Sequence, residues 1–410
     1  MPSQKDISVV RELAKRVAEI AALPVQESKR ALWRKLNGLR PERPMVMIDE
    51  ICWNELAGEE LALYCEDPEA RMYEERLRRT LYRWKHFPVD TVVDPYTPVY
   101  KAIDGWDFGV RVAEDVVVGD PTSDVVGHKY INQFETDEDI ENIRLPRVTH
   151  DPAESARRLA VAQELLGGFL EARLVGLDNW ISIWDPLSTW MGVEAALYAM
   201  VDRPEYVHRL LERITRSYEM RFDQLEQQGL LCPPQDRVHL TGAYTDELPA
   251  AGYDPERPRT KDLWVAGLAQ MLATVSPAMF EEFEVTYVKR LAARFGLVYY
   301  GCCDPLDRKM AQVRMIPNVR KVSMSPWVDQ ELGVSEIARQ YVFSRKPNPA
   351  MVATDRFDGD AVRKDLIATR DLCRRHNCPL EFVLKDISTI RYDPKRLDEW
   401  GRIAMEVACG

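Results

Sequence analysis

Short apolar runs of strand length recur along the chain, and stretches with helical periodicity separate them. The first, Arg43-Pro44-Met45-Val46-Met47-Ile48-Asp49-Glu50, reads as a buried strand with acidic residues at its carboxyl end. Asp90-Thr91-Val92-Val93-Asp94, Leu177-Asp178-Asn179-Trp180-Ile181, Arg237-Val238-His239-Leu240-Thr241 and Leu297-Val298-Tyr299-Tyr300 have the same form, as do Val319 to Met324, Pro349 to Ala353 and Leu380 to Leu384. Strands alternating with helices call for a parallel sheet, and this many over 410 residues favour closure into a (β/α)₈ TIM barrel.

The helical segments carry their own punctuation. Asp151-Pro152 is an N-cap with proline at the first helical position, and Leu159, Leu166 and Leu170 follow on one face. Pro204 opens a helix with Val207, Leu210, Leu211, Ile214, Tyr218 and Leu225 on one stripe, and Gly229 closes it. Ser276-Pro277 caps a helix with Phe280, Phe283, Tyr287 and Leu291, ended by Gly296. Before the first strand, Val9, Val10, Leu13, Val17 and Ile20, then Leu32, Trp33 and Leu36 beyond Pro24, predict an N-terminal helical extension over residues 1–40, with the barrel over 41–410. Between Ala113 and His150, Val116-Val117-Val118 and Asp124-Val125-Val126 flank Gly119-Asp120-Pro121, which predicts an inserted β-prone hairpin or cap. No period of repeat length recurs, which argues against a solenoid.

No apolar run approaches the roughly 20 residues that cross a bilayer. Met1-Pro2-Ser3-Gln4-Lys5-Asp6 opens a mixed-charge amphipathic stretch, so a cytoplasmic location is expected. A net charge of −11 without a long basic run argues against a nucleic-acid surface. Eight dispersed cysteines do not resemble a disulfide framework, and their chemistry is expected to be that of thiolates or metal ligands.

Val275-Ser276-Pro277-Ala278-Met279-Phe280-Glu281-Glu282-Phe283, Phe295-Gly296 and Tyr300-Gly301-Cys302-Cys303, with Gly192-Val193-Glu194 and Asp202-Arg203-Pro204-Glu205-Tyr206-Val207, carry a resemblance that spans roughly residues 40 to 408. Over these segments the chain resembles the uroporphyrinogen decarboxylase superfamily, which includes corrinoid-dependent methyltransferases. The resemblance implies a barrel whose active site lies at the carboxyl ends of the strands, and it permits a homodimer. In place of the arginine-rich first loop of the porphyrinogen decarboxylases stands Ile48-Asp49-Glu50-Ile51-Cys52-Trp53, which would repel carboxylates. This favours the methyltransferase branch, which moves a methyl group between a small methylated compound and a corrinoid carried on a partner protein.

Methyltransferases of that superfamily hold zinc with a His-x-Cys pair and a later cysteine. Cys302 matches the cysteine of the pair, Tyr300 stands in place of the histidine, and Lys385-Asp386 in place of the distal cysteine. A modified zinc site would draw on Cys302, Cys303 or Asp304 with His239 or Asp246, because thiolate and imidazole both suit zinc. Asp49, Asp246, Lys385 and Asp386 are the candidate acid/base groups. Tyr300, Trp180, Trp184, Tyr244 and Trp327 are candidate walls for substrate, and Arg345-Lys346 a candidate grip for an anion. The alternatives are a metal-independent decarboxylase or lyase using Lys385, Asp386 or Asp49, and a non-catalytic ligand-binding barrel.

Overall fold

A computed structural model describes residues 2–119, 121 and 126–410. The chain begins with helices α1 (Gln4–Ala21) and α2 (Pro24–Asn37). Ser3 starts α1 through a capping box, its hydroxyl accepting from the Asp6 amide while the Asp6 carboxylate accepts from the Ser3 amide. The stripe of Ile7, Val10, Leu13 and Val17 is buried against α3 (Pro68–His86) and α4 (Pro152–Leu166), among Tyr73, Leu77, Leu165 and Leu166. Trp33 of α2 is buried among Met45, Met47, Val342 and Val383 of the sheet, and its indole nitrogen donates to the Asp90 carbonyl at 3.0 Å. The predicted extension is thus helical and packed on the remainder of the chain.

Seven strands form one parallel sheet: β1 (Met45–Ile48), β2 (Trp180–Ile181), β3 (Trp264–Gly267), β4 (Leu297–Tyr300), β5 (Val319–Met324), β6 (Val342–Arg345) and β7 (Leu380–Leu384). Their spatial order is β1-β7-β6-β5-β4-β3-β2. Side chains alternate across it as the two-residue repeat demands. Val46, Ile48, Val298, Val322, Phe343, Phe382 and Leu384 face the main apolar core shared with the helices. Tyr299, Lys321, Ser344 and Glu381 share the other face, where they bond to one another or through a common partner. Ile48 pairs with Leu384 across the β1–β7 ladder. That register makes Asp49-Glu50 and Lys385-Asp386 leave the sheet side by side.

Several expected strands take other forms. Residues 90–94 form no ladder, although the Asp90 amide donates to the Val46 carbonyl at 2.9 Å and the Asp90 carboxylate accepts from the Val46 amide and pairs with Arg43. Only Trp180–Ile181 of the 177–181 run is a strand, Leu177 making a single bridge to Leu231. Arg237–Val238 and Thr241–Gly242 pair antiparallel around a turn in which His239 and Leu240 take φ of 37° and 70°. Residues 350–353 are a helical turn, and the strand in that region is β6, which begins seven residues before the expected start at Pro349. In the predicted cap, Glu114–Val117 pairs antiparallel with Gly127–Tyr130. Asp124 and Val125 of the expected second piece lie outside the described residues.

Helix α5 (Pro204–Gln227) buries the whole predicted stripe from Val207 to Leu225. The Ser276-capped segment is interrupted by a π-helical turn, Glu281–Val285, which turns Glu284 inward. Among the described residues no helix is long and apolar enough to cross a membrane.

Candidate functional site

At the carboxyl edge of the sheet, Cys302 and Cys303 follow β4 across Gly301, whose φ of 92° turns the chain sharply out of the strand. A side chain there would meet Leu306 at 2.5 Å, so both conformation and space call for glycine. The turn brings the Cys302 and Cys303 sulfurs to 3.5 Å from each other. From the end of β7, the Lys385 ammonium reaches the Cys302 sulfur at 3.1 Å, the Asp386 carboxylate at 3.1 Å and the Glu50 carboxylate at 3.3 Å. Cys303 lies 3.3 Å from the same Asp386 oxygen, so its single S–H is shared between that carboxylate and the Cys302 sulfur. The strand ends β1, β4 and β7 therefore meet in one cluster.

The electrostatics of the cluster follow from these contacts. The Cys303 thiol, then His239 and Lys385, hold the Cys302 thiol far below its ordinary value, against the opposing effect of burial. Its neighbour Cys303 is pushed up by that same hydrogen bond, by burial and by the Cys302 charge. Lys385 is raised: burial opposes its charge, but Cys302, Cys303, Glu50 and Asp386 together outweigh it. Burial raises Glu50, so it holds a proton more readily than an ordinary glutamate. The arrangement favours a Cys302 thiolate on a Lys385 ammonium, with a Glu50 carboxyl of raised proton affinity beside it.

His239 is supplied by the left-handed turn after Arg237–Val238. Its ring lies between Trp180 and Tyr299, with centroids 4.9 and 4.8 Å away, and its buried Nε2 has no hydrogen-bond partner. Burial lowers its pKa, while Cys302 pulls the other way. The same turn anchors Asp49, which pairs with Arg237 and, at 3.1 Å, with Arg83. These two cations outweigh burial and keep the Asp49 carboxyl below its usual value, so it stays ionised.

Beneath the cluster, on the inner face of the sheet, runs a buried polar chain that the sequence reading passed over. Lys346 donates to the Tyr299 hydroxyl at 2.6 Å and to Ser344 at 2.9 Å; Ser344 donates to Glu381 at 2.6 Å, and Lys321 to the other Glu381 oxygen at 2.8 Å. Burial pushes the Lys346 ammonium down to about 8. Lys346, a candidate grip for an anion from the sequence, is buried next to a phenol.

The structure brings together Cys302, Cys303, Lys385, Asp386, His239 and Trp180 of the sequence candidates, with Asp49 one residue from the cluster. It places others elsewhere. Tyr300 is fully buried on the opposite face, donating to Glu284 at 2.9 Å, because two successive strand residues point to opposite sides. Trp184 is likewise core, its indole nitrogen bonded to the Phe283 carbonyl. Tyr244 donates to Asp94 at 2.8 Å, and Asp246 lies on the surface 3.8 Å from Arg34. Trp327 is 73% exposed in the loop after β5. Asp304 turns one oxygen back to the Cys302 amide at 2.9 Å and buries the other without a partner.

The side chains expected to hold zinc do not form a ligand set as placed. Among the described residues no group of three or more His, Cys, Asp and Glu is arranged to hold a metal ion. Asp304 is turned away, Cys303 is engaged with Asp386, and the Lys385 ammonium supplies the positive charge next to the Cys302 sulfur. Arg83, Arg237 and Glu381 had no signal beyond their residue type; the pairing that gives them meaning is made only by the fold.

No protein-family model matches the chain, and no curated protein does. Among solved structures, a methyltransferase from Methanosarcina mazei superposes with a TM-score of 0.53 over 92% of this chain and 97% of its own, at 10% sequence identity. What that likeness establishes is a shared α/β fold along nearly the whole of both chains.

Proposed function

We propose that this chain is a cytoplasmic methyltransferase that takes a methyl group from a small methylated compound and delivers it to a corrinoid carried on a partner protein. The observation that carries the reading is the Lys385 ammonium held 3.1 Å from the Cys302 sulfur and flanked by Glu50 and Asp386 at the ends of three strands. The fold likeness to a methyltransferase supports it. On this reading the sheet is a (β/α)₈ barrel of the uroporphyrinogen decarboxylase type. Residues 88–94, bonded to β1 through Asp90, would take the eighth strand's place on this reading.

The corrinoid would supply the low-valent cobalt that accepts the methyl group. The residues of this chain do the rest without a metal. Trp180 and His239 would wall the donor, and Lys385, fixed by the Cys302 thiolate, would turn the N–H that faces Glu50 to the nitrogen, oxygen or sulfur that loses the methyl group. As the bond to carbon breaks, that atom would take a proton delivered through Glu50, whose carboxyl burial makes easier to protonate, leaving the carboxylate to be reprotonated from solvent. The test is anaerobic incubation of the protein with free cob(I)alamin and a panel of methylated amines, thiols and ethers, read as methylcobalamin absorbance. Wild type is expected to turn over at least one donor, with Glu50→Gln and Lys385→Met slower by roughly 10²–10⁴-fold. A wild-type protein inert towards the whole panel would sink the reading.

A second reading, a metal-independent decarboxylase or lyase, is favoured by one observation: Lys346, lowered to about 8, lies 2.6 Å from the Tyr299 hydroxyl and would titrate near neutrality. It predicts carbon dioxide release from carboxylic acids with no corrinoid present.

A further inference from the structure

Beside Asp49, a cavity of about 390 Å³ opens between α2, α3 and residues 87–93. Its charged lining is Lys29, Arg76, Arg79, Arg83 and Arg237 against the single carboxylate of Glu75. Glu75 is taken by Arg79 at 2.5 Å, and Asp49 is shared by Arg83 and Arg237. The remaining two cations have carbonyls for partners: Lys29 donates to Val89 and Thr91 at 2.7 and 3.0 Å, and Arg76 to Pro98 at 3.0 Å. Carbonyl dipoles orient these cations without neutralising them. Burial holds the Lys29 ammonium below the ordinary lysine value, a cost that an anion would relieve. Trp84, Phe87 and Val92 supply apolar wall, and the volume lies in the range that small ligands fill.

We propose that this cavity is a binding site for a small organic dianion, its phosphate or paired carboxylates held by Lys29, Arg76 and the Arg83–Arg237 pair and its apolar body lying against Trp84. Guanidinium forks suit oxyanions of either kind, because they present parallel donors to two oxygens at once. The site is wired to the thiol cluster by sequence neighbours. Arg237 is two residues from His239, and Asp49 is followed by Glu50, which holds Lys385. An anion that competes with Asp49 for Arg83 and Arg237 therefore acts on both supports of the cluster. The proposal stands whether or not the chain transfers methyl groups.

Isothermal titration calorimetry of the full chain with inorganic phosphate, pyrophosphate and succinate tests it. At least one probe is expected to bind one to one, phosphates alone marking a phosphorylated ligand and succinate alone a dicarboxylate. The Lys29→Gln/Arg76→Gln variant should weaken that binding about tenfold or more, the effect of losing charge-assisted hydrogen bonds. Arg79→Gln, on a side chain 41% exposed, gives the same test at a position whose loss the fold tolerates, with a weakening of severalfold expected. Arg374→Gln, in a separate cavity with Arg339 and Arg370, should leave affinity unchanged. Absence of binding by all three probes, or binding as strong as that of wild type in both the Lys29/Arg76 and the Arg79 variants, overturns the proposal.

Discussion

Two residues, Cys302 and Lys385, concentrate the chemistry, and each supports the charge of the other. An ordinary cysteine near pKa 8.5 is largely protonated at neutral pH, whereas Cys302 is held as a thiolate by the Cys303 hydrogen bond, by His239 and by Lys385. Its anion should therefore persist well below neutrality. The expected outcome is a thiolate absorbance, taken as the difference between wild type and Cys302→Ser, that stays constant from pH 8 down to pH 6. Over that interval an unperturbed thiol loses its anion by roughly two orders of magnitude. Lys385→Met, which removes the ammonium at 3.1 Å, should shift the midpoint of that absorbance upward. A difference spectrum that titrates near the ordinary cysteine value in wild type would show that Cys302 is a resting thiol. Linkage has the matching sign: a depressed folded-state pKa contributes stability above the unfolded value that is lost as pH falls through the folded one. Cys302→Ser should thus cost more stability at pH 9 than at pH 5.

At the scale of elements, strand runs that begin and end on apolar residues were legible even with a charge inside them, and a run that ends on polar residues was not. Val319 to Met324 and Leu380 to Leu384 match β5 and β7 residue for residue. β6 was misplaced because Ser344 and Lys346 break its apolar run, yet they are buried there as partners of Glu381 and Tyr299. The His239 turn was illegible for another reason: a left-handed histidine carries no compositional mark, since glycine is the residue that advertises positive φ. Cys302, Cys303 and Lys385-Asp386 were legible because they directly follow readable strands. The π-helical turn yields a prediction of its own. Burial raises the Glu284 carboxyl to about 8, one of its oxygens has no partner, and the other accepts from Tyr300. With a folded pKa raised above the unfolded one, the native state binds the extra proton, so stability falls as pH rises from about 4.5 to about 8 and levels off beyond. Glu284→Gln keeps the acceptor and removes the titration. It is expected to be more stable than wild type by on the order of a few kcal/mol at pH 8, with the gap closing at pH 5, in urea denaturation. An equal difference at both pH values would remove the carboxyl from this account.

Across the whole molecule, the apolar core lies between the sheet and its helices, while the other face of the sheet is held by charge. Lys321 and Glu381 lie 2.8 Å apart with no exposure of either side chain, and Thr241 and Ser344 satisfy the remaining carboxylate valences. This joins β5, β6, β7 and the turn that carries His239, so the scaffold beneath the thiol cluster is one polar unit. A buried pair of this kind gains little over well-packed apolar residues, but breaking one side leaves an unpaired charge in a place water does not reach. Here the exposed debt would be double, because Glu381 also supports the buried Lys346. Glu381→Leu alone is therefore expected to lose about 3–5 kcal/mol in urea unfolding, and Lys321→Met/Glu381→Leu to recover much of that loss. The recovery should be incomplete, since Lys346 keeps its charge in the double variant. Lowering the pH should not restore the single variant, because a lower pH keeps both lysines charged. Without Glu381 the Lys346 pKa falls below its wild-type value of about 8, so raising the pH towards 8 should narrow the gap to wild type, which then stays constant above it. If Glu381→Leu instead unfolds with the stability of wild type at every pH, the charged face is not what holds these strands in register.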